Sequence, residues 1–113
     1  MSALPTLKSS GDFQRVSKLG RRLSFPTFIL QALKTDSAGP LRVGYTASRK
    51  VGNAVIRNRA KRRLREVVRL LSKEKMLSGG EIVLIAKTAA ASADFAVMQR
   101  DFGKAMTDLG FAS

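Results

Sequence analysis

Between residues 41 and 87 the hydrophobic pattern of the sequence changes its period twice. The segment "LRVGYTAS" (41–48) alternates apolar and polar residues, which predicts a strand with one face toward a core. From Asn53, a candidate N-cap, to about Ser72, apolar residues recur every three or four positions, which predicts an amphipathic helix. The continuous apolar run "EIVLIAK" (81–87) is typical of a buried strand. This order of strand, helix and strand predicts a βαβ crossover in an α/β fold.

The flanking segments predict further elements of the same domain. Ser9 or Ser10 can cap a short first helix, residues 25–33 have the composition of a strand, and Ser92 can cap a last helix. The first helix would place three apolar residues on one face: Phe13, Val16 and Leu19. A chain of 113 residues is long enough for one core and too short for two. We therefore predict a single RNA-binding domain over residues 1–113, with residues 1–8 as a flexible arm.

The charge balance narrows the function. The chain has 21 Lys and Arg against 8 Asp and Glu, a net charge of +13, which suggests a polyanionic partner, nucleic acid before an anionic membrane. With no Cys and no His, disulfides, thiol or imidazole catalysis and Cys or His zinc sites are excluded. The carboxylates are too scattered for a protein metal-ion nuclease. The first ten residues lack the apolar core of a signal peptide, and no stretch approaches an apolar run of about 20 residues, so we predict a cytoplasmic protein.

The segment "RNRAKRRLRE" (57–66) carries six cations in its first nine positions and no carboxylate before Glu66. On a helix at about 100° per residue, these charges lie beside and opposite an apolar stripe that begins at Ile56. A solvated helix surface is the ordinary explanation, but such a surface usually mixes signs. Here the cations fill the N-terminal half, where the helix dipole favours anions by about 0.3–1 kcal/mol per charge. Arg, which binds phosphate through two parallel hydrogen bonds, outnumbers Lys five to one. The pattern therefore favours a phosphate-binding face.

At "GYTASRKVGNAVIRNRAKRRLREVVR" (44–69) the chain resembles the bacterial ribonuclease P protein component. The RNR signature of that family is matched here by Arg57, Asn58 and Arg59, and "DFQRV", "TFIL" and "EIVLIAK" follow the family order. The resemblance implies an α/β (α+β) two-layer sandwich, in which a small mixed sheet packs with helices in a ribosomal-protein-like RNA-binding fold. It also implies a left-handed βαβ crossover, against the usual right-handed preference.

The same resemblance implies the function. A chain of this kind would join a catalytic RNA and promote endonucleolytic removal of the 5′ leader from precursor tRNA, by phosphodiester hydrolysis that leaves a 5′-phosphate. The catalytic site and its Mg²⁺ would lie in the RNA subunit, with no catalytic residue and no metal ligand in this chain. The expected partners are ribonuclease P RNA and precursor tRNA, with no membrane and no obligate protein partner.

The family pattern also implies two sets of site residues. Those expected to bind the catalytic RNA are Arg49, Lys50, Asn53, Arg57, Asn58, Arg59, Lys61, Arg62 and Arg65. Those expected to bind the precursor-tRNA leader, in a cleft between the first helix and the sheet, are Phe13, Phe28 and Thr46. For Phe13 and Phe28, core packing is an open alternative. Ser17 and Gln31 stand where many relatives carry aromatic residues, so fewer rings are available to stack on unpaired bases.

Other classes of binding protein would share part of this pattern. A ribosomal or general RNA-binding module would have the charge and the basic helix without the RNR spacing. A DNA-binding protein is less well supported, because the sequence has no helix-turn-helix or zinc pattern. Binding to a membrane surface is less well supported again, because the basic helix has no Trp or Phe on its apolar face.

Overall fold

The computed structural model describes residues 4–36 and 38–112, which form a four-stranded sheet with helices on both of its faces. The elements are α1 (Ser10–Leu19), β1 (Arg21–Ser24), β2 (Phe28–Lys34), β3 (Arg42–Ala47), α2 (Ala54–Glu74), β4 (Gly80–Ala86) and α3 (Phe95–Asp108). Short 3₁₀ turns at Arg49–Val51 and Thr88–Ala91 precede α2 and α3. The strand order is β1-β2-β4-β3. The predicted fold, a small mixed sheet packed with helices, is confirmed.

The β3–α2–β4 unit is the predicted crossover. β3 and β4 pair in parallel, from Arg42 opposite Glu81 to Ala47 opposite Ala86, and α2 connects them. β2 pairs antiparallel with both β4 and β1. Along the strand order, the crossover strands β3 and β4 therefore form one half of the sheet, and the β1–β2 hairpin forms the other half. The handedness of the crossover stays a prediction.

The two faces of the sheet bury different clusters. Alternate residues of β4, among them Ile82 and Leu84, pack with α2 and α3 in the main core, where Leu64 and Phe102 are also buried. The residues between them face α1, where Val83 packs with Val16 and Leu7. Since successive strand residues point to opposite faces, residues at alternate positions of β4 pack against α1 on one face and against α2 and α3 on the other.

The amino-terminal segment differs from the predicted flexible arm. Leu7 is buried, its N–H donates to the carbonyl of Val43 at 2.9 Å, and the N–H of Val43 donates to the carbonyl of Pro5 at 2.9 Å. The chain therefore runs along the outer edge of β3 as a short additional ladder. Residues 1–3 of the predicted arm lie outside the described residues.

Several boundaries and faces also differ from prediction. Leu19 is 69% exposed rather than part of the face shared by Phe13 and Val16, because α1 ends there and the chain turns into β1. β1 was not predicted, and the strand expected from residue 25 begins at Phe28. Ile56, the expected start of the apolar stripe, is 37% exposed in the first turn of α2.

The start of the last helix is displaced as well. Its N-cap is Asp94, whose carboxylate accepts a hydrogen bond from the Ala96 N–H at 3.0 Å. Ser92 instead ends the preceding 3₁₀ turn. The predicted last helix is present, and it buries Met98, Phe102 and Met106 in the main core.

Candidate RNA-binding surface

The cationic surface is built on the first half of α2. Asn53 caps this helix, and its side-chain oxygen accepts a hydrogen bond from the Ile56 N–H at 3.0 Å. This bond uses one of the two lone pairs of the oxygen and leaves the amide NH₂ group of Asn53 as a donor for an RNA contact. Ala60 and Leu64 are fully buried against the sheet, which turns the opposite side of the helix outward.

Viewed down α2 from Ala60, the predicted RNA-binding residues extend from the edge of the buried stripe, where Arg57 lies at about 60°, to the outer side of the helix. Lys61 lies at about 100°, Arg65 at about 140° and Arg62 at about 200° from the buried stripe. Arg62 and Arg65 are exposed, and Arg57 and Lys61 are half-buried. Among residues 4–36 and 38–112, the ion pairs involve none of the predicted cations: Arg49, Lys50, Arg57, Arg59, Lys61, Arg62 and Arg65. Their positive charge is therefore available to an external anion.

Arg65 contacts an aromatic ring of the sheet, and this contact fixes its position. Its guanidinium carbon lies 5.2 Å from the centroid of the Tyr45 ring, within cation–π range. Burial raises the pKa of the Tyr45 hydroxyl above its ordinary value of 10.0. The contact holds the guanidinium at the border between α2 and β3.

Two other arginines of α2 are engaged within the protein. Arg63 donates to the carbonyls of Ala90 at 2.8 Å and Ala93 at 2.6 Å, and it lies over the Phe95 ring. It therefore joins α2 to the segment that leads into α3. Arg69 donates to both carboxylate oxygens of Glu66, at 2.7 and 2.6 Å. The arginines of α2 therefore carry the same charge but differ in whether their guanidinium groups are accessible to an external anion.

The loop before α2 extends the cationic surface. Gly52 has φ +145°, a conformation that L side chains rarely adopt, and it allows the chain to pass from the 3₁₀ turn into the helix. Arg49 and Lys50, both predicted to bind the catalytic RNA, are exposed in that turn. Lys50 also lines a groove at the carboxyl ends of β3 and β4, together with Ile85 and Lys87.

Phe13, a residue of α1, and Thr46, a residue of β3, both lie at the face of the sheet that α1 covers. The Phe13 ring rests on Gly44, where an added Cβ would lie 2.8 Å from the nearest ring carbon. Glycine at this position therefore permits the ring to contact the sheet. Thr46 follows two residues later on the same face and is half-buried. Both residues are thus on the α1 face, as the predicted cleft requires.

Phe28 does not share this face, and its prediction as a leader-binding residue is wrong. Its side chain is fully buried in the main core, and its ring lies 4.9 Å from that of Phe25. In β2 it is Ile29 and Gln31 that point toward α1, and the Gln31 amide lies 3.5 Å from the Ser17 hydroxyl. The alternative of core packing is correct for Phe28.

The strand pattern already contained a signal against Phe28. Phe28 and Gln31 are three residues apart, so they must face opposite sides of one strand. The two residues could therefore not line the same cleft. The same parity identifies Ile29 and Ile85, paired across β2 and β4, as residues of the α1 face that sequence reasoning missed.

A cluster of charges holds α1 on the sheet. Glu81 is 6% exposed and accepts hydrogen bonds from Arg15 Nε at 2.9 Å and from Arg42 Nη1 at 2.8 Å. Asp12 accepts from Arg15 Nη2 at 2.7 Å, and this bond lowers the pKa of the Asp12 carboxyl. These contacts join α1 to β3 and β4, and they set where the Phe13 ring lies.

Together, the predicted cations of α2 and of the loop before it, which form no ion pair with any described residue, define a basic α/β protein suited to bind a polyanion. None of the described helices is both long and apolar enough to span a membrane. The family model described as Ribonuclease P matches residues 1–110. The chain therefore belongs to the ribonuclease P protein family, whose members are subunits of a tRNA-processing endoribonuclease and partners of ribonuclease P RNA.

Relatives and solved structures agree with this assignment. The chain is 40% identical over 104 residues to the ribonuclease P protein component of Gluconacetobacter diazotrophicus, covering 92% of this chain and 90% of that one. It is 47% identical over 89 residues to that of Symbiobacterium thermophilum, covering 79% and 76%. The RNase P protein from Thermotoga maritima superposes with a TM-score of 0.74 at 26% identity, covering 88% of this chain and 93% of that one. The RNase P protein of Staphylococcus aureus gives 0.78 at 24% identity, covering 98% and 100%, and supports the fold alone.

Proposed function

We propose that this chain binds ribonuclease P RNA through the outer side of α2 and holds the 5′ leader of precursor tRNA on the α1 face, and so promotes endonucleolytic removal of the leader. The observation that carries the proposal is the set of cations on the first half of α2, continued by Arg49 and Lys50, that form no ion pair within the described part of the chain. Solvated charges placed against the helix dipole stabilise nothing in the folded chain, whereas an RNA backbone supplies the missing counter-charge.

The leader would lie on a surface that α1 leaves partly uncovered. Ile29, Ile85 and Thr46 are register neighbours across β2, β4 and β3, and all three are half-buried. The Phe13 ring borders this row, and Lys50 extends it at the carboxyl ends of the strands. Aliphatic side chains contact bases without the stacking that aromatic rings supply, which is worth about 1–3 kcal/mol per base. We therefore expect leader binding that is modest and tolerant of sequence.

Catalysis is assigned to the RNA subunit with its Mg²⁺. This chain has no His and no Cys, so it lacks the usual side chains for acid–base or thiol chemistry at neutral pH. The contribution of the protein would be electrostatic. Its cations fix and neutralise phosphates near the RNA core, which lowers the Mg²⁺ concentration that the RNA needs.

The test is 5′-leader release from a precursor tRNA at low Mg²⁺, with bacterial ribonuclease P RNA alone, this protein alone, and the two mixed. Cleavage restored only in the mixture is the expected result. Binding without restored cleavage would support a general RNA-binding module instead. Cleavage by the purified protein alone would contradict the assignment of catalysis to the RNA.

A further inference from the structure

A groove beside the second half of α2 is separate from the leader surface described above. It lies between α2 and the edge of β3 and has a cavity volume of about 200 Å³. Its floor is apolar, formed by Leu4, Tyr45 and Val68, and its rim carries Arg65, Arg69 and Ser72. It lies on the α2 face of the sheet, whereas the proposed leader surface is on the α1 face.

The lining of this groove matches the chemistry of a nucleotide. A nucleotide has a flat base and, through its sugar, a phosphate; aromatic and guanidinium groups stack on unpaired bases, and guanidinium groups also bind phosphate by charge. The groove offers an aromatic and aliphatic floor with two guanidinium groups at its rim. Arg65 is already held over Tyr45, so one of the two charges is preorganised.

A row of cations leads along α2 to this groove. Arg57, Lys61, Arg65 and Arg69 recur every four residues, so successive members rise by about 6 Å along the helix axis with a small rotation. The first three belong to the proposed RNA-binding surface, and the last two line the groove. An RNA strand that follows the row therefore reaches the mouth of the groove.

Glu66 controls the last cation of this row. It holds Arg69 in a two-bond ion pair whose side chains are both 44% exposed. An exposed pair of this kind is weak, and Arg69 Nη1 is not part of it. A phosphate at the groove can thus bind Arg69 through Nη1 or replace the carboxylate.

We propose that this groove is a subsite for one unpaired nucleotide of ribonuclease P RNA, with Arg69 on its phosphate and Glu66 as an internal competitor. The proposal rests on the proposed binding of that RNA by α2. It extends the interface past the RNR motif, to a residue that the motif does not include.

The first experiment measures the affinity of the full chain for ribonuclease P RNA across a salt series. Arg69→Gln is expected to weaken binding about fivefold and to reduce the salt slope by about 0.7–0.9, one phosphate contact. Glu66→Gln is expected to tighten binding, and this gain should disappear when Arg69→Gln is also present. The matched control is Arg100→Gln, which removes one exposed charge from α3. Wild-type affinity in Arg69→Gln, or a gain from Glu66→Gln that persists in the double variant, would overturn the proposal.

The second experiment tests whether the groove holds a base. Since the chain has no Cys, a Thr6→Cys variant carries a single thiol at the groove, where a photoreactive group can be attached. Crosslinking to an unpaired nucleotide of ribonuclease P RNA is expected, and the same label on Gln99→Cys in α3 should not react there. A crosslink to the precursor-tRNA leader, or none, would overturn the proposal. If the wild-type chain fails to bind the RNA at all, the proposed function fails; if it binds while both groove tests fail, only the subsite is wrong.

Discussion

Replacing Arg57, Arg62 and Arg65 by Ala removes three cations that form no ion pair within the part of the chain described. If each meets one phosphate, the slope of log K against log salt should fall by about 0.9 per residue for duplex-like RNA, or about 2.7 in total. For single-stranded contacts the factor is about 0.7 and the total about 2.1. Between 50 and 200 mM salt, the affinity of the triple variant should therefore decrease about 20- to 40-fold less than that of the wild-type chain.

The assay is titration of ribonuclease P RNA at several salt concentrations, with thermal unfolding as a control for folding. Removal of Arg57 relieves a charge that opposes the dipole of α2, whereas removal of Arg65 loses its contact with Tyr45, so the net change in stability should be within about 1 kcal/mol. A matched variant replaces Lys18, Arg21 and Arg100, three exposed cations on other elements, and should largely retain the wild-type slope. An unchanged slope in the α2 variant, or an equal decrease in the matched variant, would refute the assignment of this face to RNA.

Three further predictions test the main core, the proposed leader surface and the cluster of charges around Glu81. Phe28→Ala should lower the free energy of unfolding by about 3–5 kcal/mol in denaturant titration, since the side chain is fully buried; a cost below 1 kcal/mol would contradict its place in the core. Phe13→Ala should reduce the preference for precursor over mature tRNA in the holoenzyme while binding of ribonuclease P RNA is unchanged, and equal preference would make the ring structural only. Because Arg15 lowers the pKa of Asp12 below its ordinary 3.8, the stability from this pair is present above that pH and is lost as the pH falls through the lower folded value. Acid unfolding of Asp12→Asn should therefore lack this component, and curves that coincide with the wild type would exclude it.

The central unit of the fold could be predicted because its residues carry strong periodic patterns. The change from alternation to helical spacing to a continuous apolar run identified β3, α2 and β4. β1 has no such pattern, since "RRLS" owes its extended form to pairing with β2, an interaction that local sequence does not encode. Leu19 and Ile56 were misplaced for a related reason, because spacing predicts a face but not where the neighbouring element ends.

The sequence predicted the positive charge of the candidate site, but it predicted only in part which of the charged side chains are accessible to a ligand. Arg62 and Arg63 are adjacent and chemically identical, yet Arg62 faces outward and Arg63 binds two carbonyls near α3. Their angles from the buried stripe, about 200° and 300°, distinguish them once the centre of the stripe is known. The partners of Glu81 could not be found in this way, because they lie 39 and 66 residues away in the sequence.

The loop between β3 and α2 lies between the cationic surface of α2 and the proposed leader surface. The cations of α2 and the proposed leader residues beside α1 lie on opposite faces of the sheet, an arrangement that would let the chain contact two RNA segments at once. Lys50 adjoins both, because it lies just before the N-terminus of α2 and also lines the groove of Ile29 and Ile85. Substitutions in α2 should therefore act mainly on affinity for ribonuclease P RNA, and those beside α1 mainly on substrate preference. Lys50→Ala should affect both, and a change confined to one would show that the two surfaces meet elsewhere.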